Sequence, residues 1–541
     1  KQNLTGERSN EGCRAVIGPC PHVKIGEIII PERIANELSY RIIVNNSNFH
    51  ELQNKVDRKD AEFVRSISRR PQLYDDTLIS VAKRKRRLCL HLGDIVEVKL
   101  RNGDYIVLNR QPTLRKESLL AHKVLIVHNP TIQNIQIPLP ITPLYNADFD
   151  GDEMSGHTPI SKMSQIEMEE LMSIEQNIIS SQTNKPILGL VQDSVLGMNL
   201  LSRDKLLVDI DLFFNMLCRS DLAMRNIKGD ICDNLKIKLS TFVKYKDELN
   251  LPDNFFNTYK NGKLKTITGK AVLSFLFPID FNYNRDGVKI KHGIFYEGLI
   301  TDDHTGNGHN RLIQCLKDEY SSRTAYNFVS YCDFISHDWF KENNFSIGLD
   351  DCIVGHNKNI QTIIDKEINS VNIINENTSN IVTGKIKNSV QEYILDNIDP
   401  NNKLYILINS GAKGNLENFC QITGCIGQNT IMGGRVKKCV GGRTLPYYTK
   451  DDDSLMSRGF IRSSYIHGLN LVEFFIHMCA GIEGMVKVTT DTPETGYNNI
   501  KLCKLMEELM VAYDGTVRIS DKQRIVQFKY GVLGLDPAQC R

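Results

Sequence analysis

From residue 23 to 160, short β-branched and aliphatic runs alternate with turn signals, as in "VKIGEIIIP", "DIVEVKLRNGDYIVLNRQP" and "KVLIVHNPTIQNIQIPLPITPLY". The pattern predicts a compact β-rich barrel or sandwich that presents residues 145–154 just after a strand. Asn102-Gly103, between "VEVKL" and "YIVL", predicts a hairpin, because that pair readily takes the positive φ of a type I′ turn. From 160 to about 230 the periodicity becomes helical, beginning at "SKMSQIEMEELMSIEQ". Residues 231–310 are mixed, with a Gly/Asn/His-rich loop, "TDDHTGNGHNR", at 301–311. Further on, Ile360, Ile363, Ile364, Ile368, Val371 and Ile374 recur at helical spacing among Lys, Asn and Asp, which predicts an amphipathic helix, half of a helical hairpin. The last long element starts at Asn470, a capping residue with Glu473 as its reciprocal partner three positions on. It runs from Leu471 to about Met506, roughly 50 Å at 1.5 Å per residue. Pro493 lies inside it, removes one backbone bond and is expected to bend it.

With 541 residues the chain is too long for one core, and about three or four domains are expected. The regions anticipated are 1–160, 161–330, 331–465 and 466–541. A hydrophobic share of 41% and a charged share of 24% exclude a disordered or fibrous class. The net charge of +2 means that any surface for a polyanion must be local. No window approaches 18 consecutive apolar residues and the N-terminus lacks the apolar core of a signal peptide, so a soluble intracellular protein without membrane contact is expected. The 14 cysteines lie singly from Cys13 to Cys540 with no C-x-x-C pair, which predicts reduced thiols and no zinc in this stretch. The chain begins at Lys1 rather than Met, and a piece of a longer protein is expected.

The chemistry concentrates in "YNADFDGDEM", residues 145–154, where Asp148, Asp150 and Asp152 alternate and Glu153 follows. Three ionised carboxylates so close repel one another, and the stretch is stable only if exposed, protonated or holding a cation. In extended backbone, positions i, i+2 and i+4 project to one side, and Gly151 permits the tight turn that brings the third carboxylate round. Hard divalent cations prefer such all-oxygen sites, and Mg²⁺ keeps positions free for water or phosphate oxygens. A calcium EF-hand fails twice: counting Asp148 as position 1, position 6 is Glu153 instead of Gly and position 12 is Pro159 instead of Glu. An exposed acidic turn is the bland alternative.

"NADFDGDEM" resembles the signature loop of the largest subunit of multisubunit DNA-dependent RNA polymerases, and further segments follow in that family's order. "VLNRQPTLRKESLLAHKV" (107–124) is similar to its segment beside the nucleotide site, and "NKPILGLVQDSVLG" (184–197), "FSIGLDDCI" (345–353) and "SGAKGN" (410–415) each resemble a family motif. "GRTLPYY" (442–448) and "SRGFIRSSYIHGL" (457–469) resemble the run before the bridge helix, and "EFFIHMCAGIEGMV" through "TPETGY" (473–497) resembles the bridge helix itself. The likeness spans essentially the whole chain, in its RNA polymerase II-like form.

The resemblance implies a mixed α+β multidomain fold: a double-psi β-barrel with the metal loop, then pore and helical funnel regions, then a long bridge helix. It implies that Asp148, Asp150 and Asp152 hold one Mg²⁺ tightly, with a second Mg²⁺ arriving on the nucleoside triphosphate. Asn146 and Arg110 match positions that read the sugar hydroxyls, Pro112 lines that site, and Lys413 matches a position that looks toward the triphosphate. Thr492, Pro493, Gly496 and Tyr497 match the nucleic-acid-facing part of the bridge helix. The implied partners are the second-largest subunit, smaller polymerase subunits, a DNA template, the RNA product and nucleoside triphosphates. A clamp with zinc-binding cysteines upstream of Lys1 and a trigger loop beyond Arg541 are also implied, so this stretch alone is expected to be catalytically incomplete.

The match departs from the family in places. "KVTTDTPETGY" stands where cellular enzymes usually read "DTAVKTAETGY", placing Asp491 and Pro493 in a helix expected to be straight and basic. Near the start the basic residues are thinned to Arg8 and Arg14, and the run "KRKRR" (83–87) takes no assigned role. Such drift resembles the enzyme of a large cytoplasmic DNA virus, which implies host cytoplasm or virion as location; a cellular enzyme would be nuclear. A cellular RNA-dependent RNA polymerase shares the D-x-D-G-D loop on a related barrel, but the bridge-helix and "GRTLP" segments argue against it. A non-catalytic nucleic-acid-binding scaffold descended from a polymerase would favour degraded aspartates, and these are intact.

Overall fold

The computed structural model describes residues 12–65, 78–81, 87–180, 182–222, 240–249, 251, 258–260, 263–369, 376–439, 441–521, 523–531 and 534. Arg8, residues 83–86 of the basic run, Val371 and Ile374 lie outside the described residues. Two compact units are formed, one from the described residues up to Glu342 and one from Asn343–Gly534.

The first unit opens with ten strands: β1 (Gly12–Pro19), β2 (Glu27–Pro31), β3 (Ser39–Ile43), β4 (Ala61–Arg65), β5 (Leu78–Ser80), β6 (Ile95–Lys99), β7 (Tyr105–Asn109), β8 (Leu119–Val127), β9 (Ile135–Ile137) and β10 (Glu153–His157). Six of them close a barrel in the order β1-β10-β7-β8-β2-β9, and the other four form a sheet in the order β3-β6-β4-β5. The barrel mixes parallel pairs, β1 with β9 and β2 with β8, with antiparallel ones. Its strands bury Ile28, Ile30, Ile106, Leu108, Val124, Ile135, Ile137 and Met154 completely. Each such side chain contributes about 1.5–3 kcal/mol, enough in sum to make the barrel a rigid mount for loops at its rim.

Two local expectations need correction. The segment at Asn102-Gly103 is a turn but not a hairpin, since β6 pairs with β3 and β4 while β7 pairs with β8 and β10. Of the two central residues only Gly103 has positive φ (91°), whereas a type I′ turn needs it at both. The Gly103 N–H donates to Val124 O (2.9 Å) and Ile126 N–H donates to Asn102 Oδ1 (2.5 Å). The turn is thereby tied to β8, and the chain passes from sheet to barrel. Nor does a strand lead into the aspartates. After β9 come a 3₁₀ turn (Leu139–Ile141) and a one-turn helix (Thr142–Tyr145). Pro138, Pro140 and Pro143 cannot donate to a strand ladder but suit the first turn of a helix.

The rest of this unit braces the barrel. The helix Lys162–Leu171 starts at Ser161, whose hydroxyl accepts from Ser164 N–H, and the helix Asp193–Leu201, buried from Ser194 onward, packs on the long helix Ser322–Glu342. Arg219, in the helix Ile210–Leu222, ties these helices to the chain entering the barrel: its guanidinium donates to Pro21 O (2.6 Å), contacts His22 Nδ1 (2.8 Å) and pairs with Asp338. The loop at 301–311 contains a one-turn helix, Asp302–Thr305, closed by a Thr301/His304 capping box.

In the second unit the predicted amphipathic helix is Asn357–Asn369, packed on the helix Glu376–Asp396. Ile360 and Ile364 share one core with Val382, Ile386, Val390, Ile394 and Phe419. The long helix runs unbroken from Leu471 to Leu505, 35 residues, with the Asn470/Glu473 capping box in place and Pro493 inside. Pro493 does not end the element, although it offers no N–H to the carbonyl of Thr489. Among the described residues no helix is long and apolar enough to cross a membrane.

Candidate active site

The loop between the one-turn helix and β10 is shaped at both ends. Asn146 takes the left-handed conformation (φ 47°, ψ 43°), ends the helix and donates its N–H to Pro143 O (3.3 Å). At the far side Gly151 has φ +115°, where an L side chain is strained, and Ile17 N–H donates to Asp152 O (3.0 Å) as β10 begins. The carboxylates of Asp148, Asp150 and Asp152 offer one oxygen each, all within 4.8 Å of one another. They converge through a bend at residues 149–151 rather than along the flat strand that the alternation suggested.

Two arginines balance the four acids. Arg110, at the end of β7, donates from Nε to Asp152 Oδ2 (2.8 Å), which also accepts the Asp148 N–H (3.2 Å). Arg14, on β1, donates from Nε to Glu153 Oε2 (2.6 Å), so the fourth acid is drawn away from the cluster. The hydrogen bond from Arg110, with the Asp148 N–H, holds the Asp152 carboxyl below the usual carboxylate range. Asp148 moves the other way: its hydrogen bond with Asp150, some desolvation and the charges of Asp150 and Asp152 raise it.

This donor set fits a small hard cation. Mg²⁺ binds oxygens at about 2.0–2.1 Å, so opposite ligands sit roughly 4.2 Å apart, and oxygens already this close need shifts well under about 1 Å. A divalent charge would also relieve the mutual repulsion that raises Asp148.

Of the other residues expected at the site, Asn146 is exposed two residues before Asp148, and the half-buried Arg110 bonds Asp152. Pro112 is exposed in the loop after Arg110 and follows a cis peptide bond. Lys413 belongs to the second unit, exposed between Gly411 and Gly414, both with positive φ. Thr492, Pro493, Gly496 and Tyr497 are exposed on the long helix of that unit; the Thr492 hydroxyl donates to Val488 O (2.8 Å) and Lys501 Nζ sits 4.1 Å from the centroid of the Tyr497 ring.

Two features escaped the sequence reading. One is the Arg14–Glu153 pair, which depends on β1 lying antiparallel beside β10. The other is a buried pair beneath the loop: Nε2 of His122, on β8, lies 2.6 Å from the phenol oxygen of Tyr145. Burial alone pushes His122 down to about 3, so the ring is neutral. A histidine within an apolar strand and a tyrosine directly before the acidic loop were the only signals available.

Comparison with known proteins covers nearly the whole chain. Four consecutive family profiles match: RNA polymerase Rpb1 domain 2 over residues 6–174, domain 3 over 177–352, domain 4 over 355–461 and domain 5 over 468–534. A "Probable DNA-directed RNA polymerase II subunit RPB1 homolog" of Invertebrate iridescent virus 6 is 30% identical over 100% of this chain and 60% of its own length. The "DNA-directed RNA polymerase subunit Rpo1N" of Halobacterium salinarum is 29% identical over 99% of this chain and 55% of its own. For "DNA-directed RNA polymerase II subunit RPB1-A" of Trypanosoma brucei brucei the figures are 28%, 99% and 30%. The chain therefore spans between about a third and three fifths of these relatives.

Proposed function

Because the chain belongs to the Rpb1 family of largest RNA polymerase subunits, we propose that its aspartate loop is the catalytic centre of template-directed RNA synthesis from ribonucleoside triphosphates. The observation that carries this reading is the convergence of Asp148, Asp150 and Asp152 within 4.8 Å beside Arg110 and Asn146. In this reading the six-stranded barrel is a double-psi barrel, and the helix Leu471–Leu505 is the bridge helix.

Asp148, Asp150 and Asp152 would hold one Mg²⁺, with a second accompanying the triphosphate; bound there, such ions supply activation of the RNA 3′-hydroxyl and neutralisation of the pyrophosphate. The chain's own residues set the geometry. The exposed, left-handed Asn146 supplies an amide that can discriminate a ribose hydroxyl from hydrogen. Arg110 keeps Asp152 ionised and presents further donors to the sugar. Lys413, on a glycine-flanked loop, supplies a positive charge for the triphosphate. Pro493 marks a flexing point of the bridge helix. The hydroxyls of Thr489, Thr490 and Thr492 bond back to carbonyls one turn earlier, a habit that loosens helices, and so support a bend there. The second-largest subunit and a DNA template complete the site. The match to a viral relative is in keeping with a viral origin; host cytoplasm or virion is the location proposed with it.

The test is Mg²⁺-dependent, template-directed ribonucleotide incorporation by the complex co-purified with this chain. Substituting all three aspartates by alanine should reduce incorporation to background. Transcription preserved in Asp150→Ala would sink the assignment.

A further inference from the structure

The loop that gathers the carboxylates is held from below by very little. Residues 146–153 are exposed or half-buried, and the first buried side chains on either side are Tyr145, 2% exposed, and Met154, 0% exposed. Met154 is an apolar anchor within β10. Tyr145 is a polar one, and its phenol oxygen meets Nε2 of His122, itself 0% exposed. The histidine stands on β8, the strand that starts directly after the loop carrying Arg110 and Pro112. Next to this pair the Ser118 hydroxyl donates to Leu144 O (3.2 Å), a second tie between the same two segments.

A pair of phenylalanines would fill such a space with no polar atom to satisfy, whereas a buried imidazole and phenol are costly unless bonded. His122 carries that cost visibly, because its Nδ1 has no hydrogen-bond partner among the described residues. Its single polar commitment is to Tyr145. The helix that ends at Tyr145 has only four residues, too few to hold its own shape in water, so what grips Tyr145 decides how Asn146 and Asp148 are aimed.

We propose that the His122–Tyr145 hydrogen bond is a positioning latch for the metal loop, fixing the one-turn helix and, through the left-handed Asn146, the distance of Asp148 from Asp150 and Asp152. It rests on the reading of that loop as a metal centre. Neither residue touches substrate or reacting atoms; both act through the backbone that follows Tyr145.

The experiment uses the assembled complex and Mn²⁺ as probe, its binding followed by loss of the free-ion electron paramagnetic resonance signal. The aspartate site is defined as the Mn²⁺ bound by the native complex and not by Asp150→Ala. Tyr145→Phe, which removes a single oxygen, should weaken that site about five- to tenfold, the range expected from one buried hydrogen bond. The paired variant His122→Phe/Tyr145→Phe removes both buried polar side-chain groups and gives up only the bond between the Leu120 backbone and the phenol oxygen. It should bring the thermal midpoint back toward the native value while Mn²⁺ binding stays weak. Native Mn²⁺ affinity in Tyr145→Phe and in the paired variant would overturn the latch and leave the metal centre standing. Equal Mn²⁺ binding by the native complex and Asp150→Ala would overturn the metal centre and the latch with it.

Discussion

Around the aspartate loop the acids lie at the surface and the anchors in the interior, with Tyr145 and Met154 buried on either side of residues 146–153. Along the helix Leu471–Leu505 the arrangement is reversed. Glu473 and Ile476 are buried in its first two turns, and the helix then carries Met485, Val486 and Val488 exposed at 66, 54 and 68%. The loop's geometry is decided by its own fold, as the proposed catalytic role requires, because small displacements of reacting groups cost rate steeply. The helix is fixed at one end, and the apolar area farther along can stabilise only through something laid against it.

Truncating the same residue type in both regions is the sharpest way to break this comparison. Met154→Ala should lower the unfolding free energy by about 2–5 kcal/mol in urea titrations, the usual cost of emptying a core position. Met485→Ala should stay within about 0.5 kcal/mol of the native chain, as exposed substitutions do. Equal losses would show that the helix is held along its whole length.

Next in size is the anchor of the helix. Glu473 accepts from Arg462 N–H (3.1 Å), the Ser463 hydroxyl (2.8 Å) and Asn470 N–H (3.2 Å). Glu473→Ala should destabilise the second unit by about 1.5–3 kcal/mol, as expected for hydrogen bonds to a charged group, and Glu473→Gln by less. Hydrogen exchange of the Arg462 and Asn470 amides reads this directly; unchanged protection would remove the anchor.

Acid should act on the barrel through His122. Its folded value of about 3 lies below the ordinary 6.5, so between these limits the unfolded chain binds the extra proton. The contribution is complete above pH 6.5 and is lost as pH falls toward 3, at about 1.4 kcal/mol per pH unit. The variant His122→Phe/Tyr145→Phe should show a slope shallower by one proton in that window, and an identical slope would contradict a buried neutral ring. A smaller loss than that of Met154→Ala or Glu473→Ala belongs to Gly151→Ala, about 1 kcal/mol from the left-handed backbone alone, since a Cβ there meets nothing within 4 Å.

Much of this was legible in the chain because it is local. The alternation of Asp148, Asp150 and Asp152 forecast carboxylates that converge, Asn470 with Glu473 forecast the helix start, and the spacing of Ile360 and Ile364 forecast the buried face. What stayed hidden depends on which strands become neighbours. Arg14 meets Glu153 because β1 lies beside β10, 139 residues apart in sequence, and His122 meets Tyr145 across 23. The hairpin expected at Asn102-Gly103 failed for the same reason: β8 captured the turn, and periodicity cannot say which strand a turn will serve.

The contact between Arg110 and Asp152 has one more implication. A guanidinium has two working ends, and here Nε is spent on the carboxylate, while among the described residues no bond from the terminal nitrogens competes with the proposed recognition. Under the proposed function, one side chain couples the orientation of a cation ligand to the reading of a sugar, so an error at either end is felt at the other. Lysine, with a single nitrogen, would have to abandon one of these duties, which makes the position intolerant of the mildest charge-preserving exchange.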